Sequence, residues 1–360
     1  MIYLDNAATT RTDKCVSEIM RKYEDELYEN PSGVYAQAVR ENIERARKEI
    51  ADTIHAKPRE IYFTSGGTES DNWALRGILR SKDHVVTTNI EHHAILKTLG
   101  DMDVSVTLVP ADPDGRVNPA KIEAAITDKT RLITVMAANN EIGTIQPIKE
   151  IYRIARKACV PFHTDAIQAY GKTDISALDC DMLSVSAHKF HGPKGIGFLF
   201  VKDSVKLRPM ITGGEQQNGM RGGTLNVPGI MGMAKAAAEA KREKGLKQVQ
   251  VRDYAIRRLL TETDAVLNGS WSDRLANNIN VSFPGVMAET LIAYLDIHGI
   301  HIAGGSACTS NQLEPSHVIK ALGRSDALAK GTVRITTSKY TTMDEMRYAI
   351  DTLEEALKTV

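Results

Sequence analysis

The 360-residue chain predicts an α/β fold, a large domain on a mostly parallel sheet followed by a small α+β C-terminal domain. Three observations lead there. Short apolar runs alternate with helical stretches as far as residue 201, which is the pattern of βαβ units. That alternation stops at a glycine-rich loop, Gly213-Gly214-Glu215-Gln216-Gln217-Asn218-Gly219. Beyond it, residues 227–267 read as long helices, Ala-rich over 234–240, before strand signals return. The change near residue 240 divides the chain into a large α/β domain, 15–240, and a small α+β domain, 241–360, joined by the N-terminal segment 1–14.

Taken in order, Leu4-Asp5-Asn6-Ala7-Ala8-Thr9-Thr10 is a polar, small-residue loop, and Asn30-Pro31-Ser32-Gly33 is a turn cluster. Val39, Ile43, Ala46, Ile50 and Ile54 recur at helical spacing and predict an amphipathic helix over 34–55. Residues 60–64 read as a strand, and the glycine turn after it opens a helix over 68–79. Strands follow at 85–88, 104–109 and 131–137, the last apolar enough to lie centrally in the sheet. A helix over 148–159 leads to a strand over 160–165. Strands at 182–186 and 197–201 complete the series. In the last third, 278–283 and 331–336 read as strands. Ile300-His301-Ile302 leads into a second small-residue loop over 303–310, and 343–357 is a closing amphipathic helix.

Composition excludes several function classes. Lys+Arg and Asp+Glu both total 45, so nothing in the charge balance calls for direct nucleic-acid or anionic-membrane binding. No run approaches the ~18 apolar residues needed to span a bilayer. The first residues lack the basic start and apolar core of a signal peptide. Cys15, Cys159, Cys180 and Cys308 are scattered, with no Cys-x-x-Cys pair. That argues against a disulfide framework or a metal site and for a reducing, cytoplasmic setting. Cys159 and Cys180 read as buried free thiols.

The chemistry centres on Ser186-Ala187-His188-Lys189, delivered by the 182–186 strand and broken at Gly192-Pro193. A strand ending in such a break puts its last side chains at the carboxyl edge of the sheet, where open α/β sheets bind ligands. A lysine there can serve as an amine nucleophile. A lysine-bound pyridoxal phosphate would need a carboxylate for its ring nitrogen, and Asp165 ends a strand. It would need backbone donors at a helix start and hydroxyls for its phosphate, which Ser65-Gly66-Gly67-Thr68 supplies, with Ser186 and His188 beside the lysine. His92 could cover the ring, and Asn140 and Gln168 could reach its hydroxyl. An amino-acid carboxylate calls for an arginine fork, and Arg334 on a late strand is a candidate.

Together these residues resemble the pyridoxal-phosphate cysteine desulfurases, a branch of the class V aminotransferases within the fold-type I transferases. The resemblance runs through Tyr3-Leu4-Asp5-Asn6-Ala7-Ala8-Thr9-Thr10, Asn30-Pro31-Ser32, Phe63-Thr64-Ser65-Gly66-Gly67-Thr68-Glu69-Ser70, Glu91-His92 and Asn139-Asn140-Glu141-Ile142-Gly143. It continues through His163-Thr164-Asp165-Ala166-Ile167-Gln168, Ser186-Ala187-His188-Lys189 and Gly219-Met220-Arg221-Gly222-Gly223-Thr224-Leu225. It ends with Gly305-Ser306-Ala307-Cys308-Thr309-Ser310 and Leu313-Glu314-Pro315-Ser316-His317, which look like the branch with a long cysteine loop.

The resemblance implies a seven-stranded, mostly parallel sheet and removal of sulfur from L-cysteine, giving L-alanine. Lys189 would carry pyridoxal 5'-phosphate and move the Cα proton, and His92 would stack on the ring and assist at the thiol. Gly67, Thr68, Ser186 and His188 would hold the phosphate, with Thr224 reaching that of a second subunit in a homodimer. Asp165 would pair with the ring nitrogen, and Asn140 and Gln168 with the ring oxygen. Asn30 and Arg334 would bind the substrate carboxylate. Cys308 would take the sulfur as a persulfide and pass it to an acceptor protein, an iron–sulfur scaffold or a tRNA-thiolation enzyme. Its glycine-rich flanks suit a thiol that must reach a substrate. A selenocysteine lyase, a class V aminotransferase and a weakly active scaffold for sulfur acceptors are the competing readings. Two departures stand out: Asn218 where the family usually has arginine, and Thr336-Thr337-Ser338-Lys339 where it usually has Ser-Leu-Gly-Arg after the carboxylate arginine. Lysine keeps the charge and loses the planar fork.

Overall fold

The computed structural model describes residues 1–242, 245–304 and 315–359. Cys308 therefore lies outside the described residues, as does most of the second small-residue loop. The chain opens with β1 (Ile2–Tyr3), α1 (Lys14–Asp25) and α2 (Gln37–Thr53). It continues through β2 (Ile61–Thr64), α3 (Gly67–Ile78), β3 (His84–Thr88), α4 (His93–Gly100), β4 (Ser105–Val109) and α5 (Pro119–Ala125). Next come β5 (Thr130–Thr134), α6 (Ile148–Lys157), β6 (Phe162–Asp165), β7 (Met182–Ser186) and β8 (Gly197–Val201). Two long helices follow, α7 (Val227–Arg242) and α8 (Leu246–Glu262), then β9 (Val266–Leu267), β10 (Asn278–Ser282) and α9 (Ala288–Ile297). The chain closes through β11 (Ile300–His301), β12 (Ala303–Gly304), α10 (His317–Ala321), α11 (Asp326–Lys330), β13 (Thr332–Thr336) and α12 (Met343–Thr359).

Seven strands form the main sheet in the order β2-β8-β7-β6-β5-β3-β4. Only β8 runs against its neighbours; every other pairing in this sheet is parallel. The order changes direction between β3 and β5, and such a switch opens a crevice at the carboxyl ends of the strands. Strands β3, β6, β7 and β8 are buried on both faces, as the inner strands of such a sheet require, whereas the edge strand β4 leaves Val106 and Leu108 exposed. Phe198 and Phe200 of β8 join one core with α1, α2, α6 and α7, while Leu199 and Val201 join the opposite core with Trp73, Leu75 and Leu99 of α3 and α4. Successive side chains of a strand point to opposite faces, so one run serves two layers.

A smaller antiparallel sheet, β12-β13-β10-β9, carries the third core. Leu4 from the N-terminal segment packs there with Val251, Ile256, Val281, Val333 and Ile350. Thr336 N donates to Leu4 O at 2.6 Å, so the first residues are stitched to the last strand. Two sequence expectations need correction. Helix does not run on to residue 267, because Val266 and Leu267 pair with Ser282 and Val281 at the edge of the small sheet. Cys159 is exposed rather than buried: it turns the chain after α6 with φ +55, which swings its side chain to solvent. Cys180 is fully buried.

Candidate active site

Five strands of one direction deliver their next residues to one place. Gly67 and Thr68 follow β2, His92 follows β3, Met136 to Asn140 follow β5, Asp165 ends β6, and Ser186 to Lys189 end β7. Together with Ala7, Ala8, Gln168, His317 and Arg334 they line a cavity of about 320 Å³. Of the sequence-predicted residues, Gly67, Thr68, His92, Asn140, Asp165, Gln168, Ser186, His188, Lys189 and Arg334 meet here. Thr224 is exposed and does not line this cavity. Asn30 lines a separate hollow with Arg40, Gln217 and Asn218.

Lys189 Nζ donates to the carbonyls of Ala7 at 2.7 Å and Ala8 at 2.8 Å. The small side chains of that pair let the backbone come within reach of the amine. Gln168 Nε2 also donates to Ala7 O, at 2.9 Å. One wall is acidic and dry. Asp165 is buried, accepts a hydrogen bond from Ile167 N at 2.9 Å, and is raised by burial against the pull of Lys189. Behind it Asp71 is fully buried and raised by burial and by Asp165, which the Ser184 hydroxyl only partly offsets. Glu91, also buried, is pushed up to about 8 although Thr88 Oγ1 and Met136 N both donate to it. His163 sits among them with its two ring nitrogens on the Thr134 and Ser184 hydroxyls, and burial pushes it down to about 3.

His92 caps α4, its Nδ1 accepting from Ala94 N at 3.1 Å. Burial and then the charge of Lys189 push it down to about 4, so at neutral pH the ring is uncharged with its proton on Nε2. Burial likewise lowers His188 to about 4, and its Nδ1 lies 3.1 Å from Thr9 Oγ1. At the other end Gly67 begins α3, whose first turn presents unsatisfied N–H groups. Gly66 there holds φ +152, which favours glycine. A Cβ on Gly67 would stand 2.1 Å from Ile167 Cδ1, so a larger residue here would have to displace that side chain. Arg334 is buried and held on two sides: Nη2 donates to Asp5 Oδ1 at 2.6 Å and Nη1 to Asn140 O at 3.1 Å. Its Nε is buried with no hydrogen-bond partner among the described residues. That orphaned donor suits an incoming anion.

Residues to which the sequence reading gave no role also line the cavity. Ala7 and Ala8 matter through their carbonyls, and His93, Glu141 and His317 through their side chains. The adjacency of His93 to His92, and of Glu141 to Asn140, was the available signal. The roles of Asp71 and Glu91 depend on burial, which a residue type alone does not reveal.

The comparisons with known proteins agree with this geometry. Residues 2–348 match the family model for Aminotransferase class-V. The chain is 44% identical to the cysteine desulfurase IscS of Dictyoglomus turgidum over all of this chain and 96% of that protein. It is 43% identical to the IscS of Methanosarcina thermophila over 99% of this chain and 92% of that one. The mitochondrial cysteine desulfurase of Saccharomyces cerevisiae is 41% identical over 99% of this chain and 75% of its own length. A solved NifS-like protein superposes with a TM-score of 0.93 at 36% identity over both whole chains. A structure of SspA in complex with cysteine gives 0.85 at 36% identity, over 95% of this chain and all of that one. The chain belongs to the class V aminotransferases. Within them it falls in the cysteine desulfurase branch.

Proposed function

We propose that this enzyme is a pyridoxal-phosphate-dependent cysteine desulfurase that takes sulfur from L-cysteine, releases L-alanine and passes the sulfur onward through Cys308. The observation that carries the reading is the convergence in one cavity of Lys189, Asp165, His92, the start of α3 and Arg334. The donor set fits pyridoxal phosphate. The glycine-lined start of α3, with Thr68, Ser186 and His188, suits a phosphate, and the desolvated Asp165 suits a protonated ring nitrogen. When bound, that group withdraws electrons from the substrate Cα. Lys189 would supply the amine that tethers it and would then hold the Cα proton. The neutral His92 ring could take a proton from the substrate thiol. Arg334 would bind the substrate carboxylate, with Nε as the unused donor. Asn140 and Gln168 would hold the ring oxygen.

We read Cys308 as the sulfur acceptor, because a thiolate is the competent nucleophile for sulfur. Thr224, exposed and outside the cavity, would serve a second copy of the chain, so the working unit would be a homodimer. Asn30 would add a contact to the substrate carboxylate. We further read the protein as cytoplasmic, with an iron–sulfur scaffold or a tRNA-thiolation enzyme as the final sulfur acceptor. Among the described residues no helix is long and apolar enough to cross a membrane.

The test is an absorbance spectrum of the protein with pyridoxal phosphate, before and after L-cysteine, with alanine and sulfide assayed together in the presence of dithiothreitol, which reduces the Cys308 persulfide and frees its outer sulfur as sulfide. Cofactor colour that responds to L-cysteine, with equimolar alanine and sulfide, is the expected result. Cys308→Ala should keep the colour and lose sulfide release. Sulfide release that persists in this variant would remove Cys308 from the mechanism.

A further inference from the structure

Glu141 is buried to within 2% of full enclosure, yet it lines the cavity beside Arg334. Its backbone is fixed from several sides. Its N–H donates to Asn139 Oδ1 at 2.8 Å, and its carbonyl accepts from the side-chain amides of Asn278 at 2.9 Å and Asn280 at 3.1 Å. Its carboxyl accepts from the Ser316 hydroxyl. Ser316 in turn caps α10, accepting from Val318 N at 3.1 Å and Ile319 N at 3.4 Å. One carboxyl thus touches both the wall that would receive a substrate carboxylate and the start of a helix.

We propose that Glu141 is a positioning residue that joins carboxylate recognition at Arg334 to the cap of α10, and that a carboxylate arriving at Arg334 brings a proton onto Glu141. The proposal rests on the reading of Arg334 as the substrate-carboxylate site. Arg334 already carries one counter-ion, Asp5. With Glu141 ionised, an incoming carboxylate would be the third negative charge around one guanidinium. With Glu141 protonated it is the second, and Oε2 still accepts from Ser316. Burial already raises Glu141 to about 7 against the pull of Ser316 and Arg334, so the proton is available near neutrality. The other titratable groups lining this cavity are His317 on α10, His93 on α4, His92 before it, and Lys189, His188 and Asp165 across it; burial lowers His92 and His188 to about 4, so both are neutral over the range tested. Both His93 and His317 are lowered from their ordinary value, chiefly by burial, and stay neutral above it.

Propionate, a carboxylate without an amine, is the probe. Its binding to the cofactor-loaded, full-length protein is followed by calorimetry from pH 6 to 9 in buffers of different ionisation heat. At pH 8 the wild type should take up close to one proton per propionate. Its affinity should fall above pH 7 by up to about tenfold per unit. Glu141→Gln keeps an acceptor for Ser316 and should abolish both the uptake and the fall. Ser316→Ala removes a donor that favours the ionised carboxyl, so the fall should begin at higher pH. No proton uptake by the wild type, an unchanged profile in Glu141→Gln, or an unmoved profile in Ser316→Ala would each overturn the proposal. Arg334→Gln separates the two readings. If it binds propionate as tightly as wild type, the carboxylate site itself is wrong; if it loses binding while Glu141→Gln leaves the wild-type proton uptake and pH profile unchanged, only the role of Glu141 falls.

Discussion

The two ends of the cavity solve opposite electrostatic problems. At the Arg334 end a buried cation has a resident partner, Asp5, at 2.6 Å and a carbonyl at 3.1 Å. At the Asp165 end three buried acids, Asp71, Glu91 and Asp165, crowd together, and burial raises all of them. The charge of Lys189 pulls Asp165 down, yet its amine is engaged by Ala7 and Ala8. A folded chain does not ordinarily bury three neighbouring carboxyl groups without opposing charge. The comparison teaches that one end holds an ion pair and keeps a donor, Nε, for an anion, while the other suits a cation brought by a bound group.

The largest expected effect tests the Asp165 end. Asp165→Asn should keep the fold but lower kcat by about a hundred- to several-thousand-fold, since leaving one member of a buried charge pair alone costs about 3–5 kcal/mol. Full activity in that variant would break the comparison. Next, Arg334→Lys should raise KM for L-cysteine about tenfold or more with a smaller effect on kcat, because lysine lacks the planar fork. A change confined to kcat would argue that Arg334 acts elsewhere than on the ground-state carboxylate.

A third experiment sharpens the contrast through pH. Glu91 is raised above its ordinary 4.5 to about 8, so its stabilising share is fully present below 4.5 and is lost as pH rises to 8. Urea unfolding of the cofactor-free protein should therefore show stability falling from pH 5 to 8. Glu91→Gln should flatten that fall by about 1–3 kcal/mol, a fraction of the ~1.4 kcal/mol per unit that a full shift would give. A slope unchanged by Glu91→Gln would assign the fall to other groups. The smallest effect belongs to the Arg334 end. Asp5→Asn should raise KM only about two- to fivefold, because the amide oxygen can still accept from Nη2 and Asn140 O still holds the arginine. A larger loss would mean that Asp5 sets the arginine's orientation outright.

The sheet was legible because most of its strands are short apolar runs separated by helices of clear period. What escaped were α1, with charged residues through most of its length, the short α4 and α5, and the ten-residue α9, an apolar stretch with no clear helical stripe. At the edge, Val266 and Leu267 continue a helical stretch in composition and become strand only because β10 offers them partners. The site divides in the same way. Lys189, Asp165, His92 and the glycine turn were legible because their chemistry follows from residue type and position at a strand end. Asp71, Glu91 and Glu141 were not, because an acid in a polar run reads as solvated, and only the packed fold shows that water has been excluded from it. Ala7 and Ala8 act through their carbonyls, which every residue has.

The stitching of the N-terminal segment to β13 has a consequence for synthesis. Ala7 and Ala8 line the cavity, yet Leu4, Asp5, Asn6 and Ala7 are held by Thr336 and Arg334, more than 320 residues later. A growing polypeptide can form its seven-stranded sheet long before those late residues leave the ribosome. Its catalytic chamber stays unfinished until they do, so a prematurely terminated product would be folded in bulk and inert.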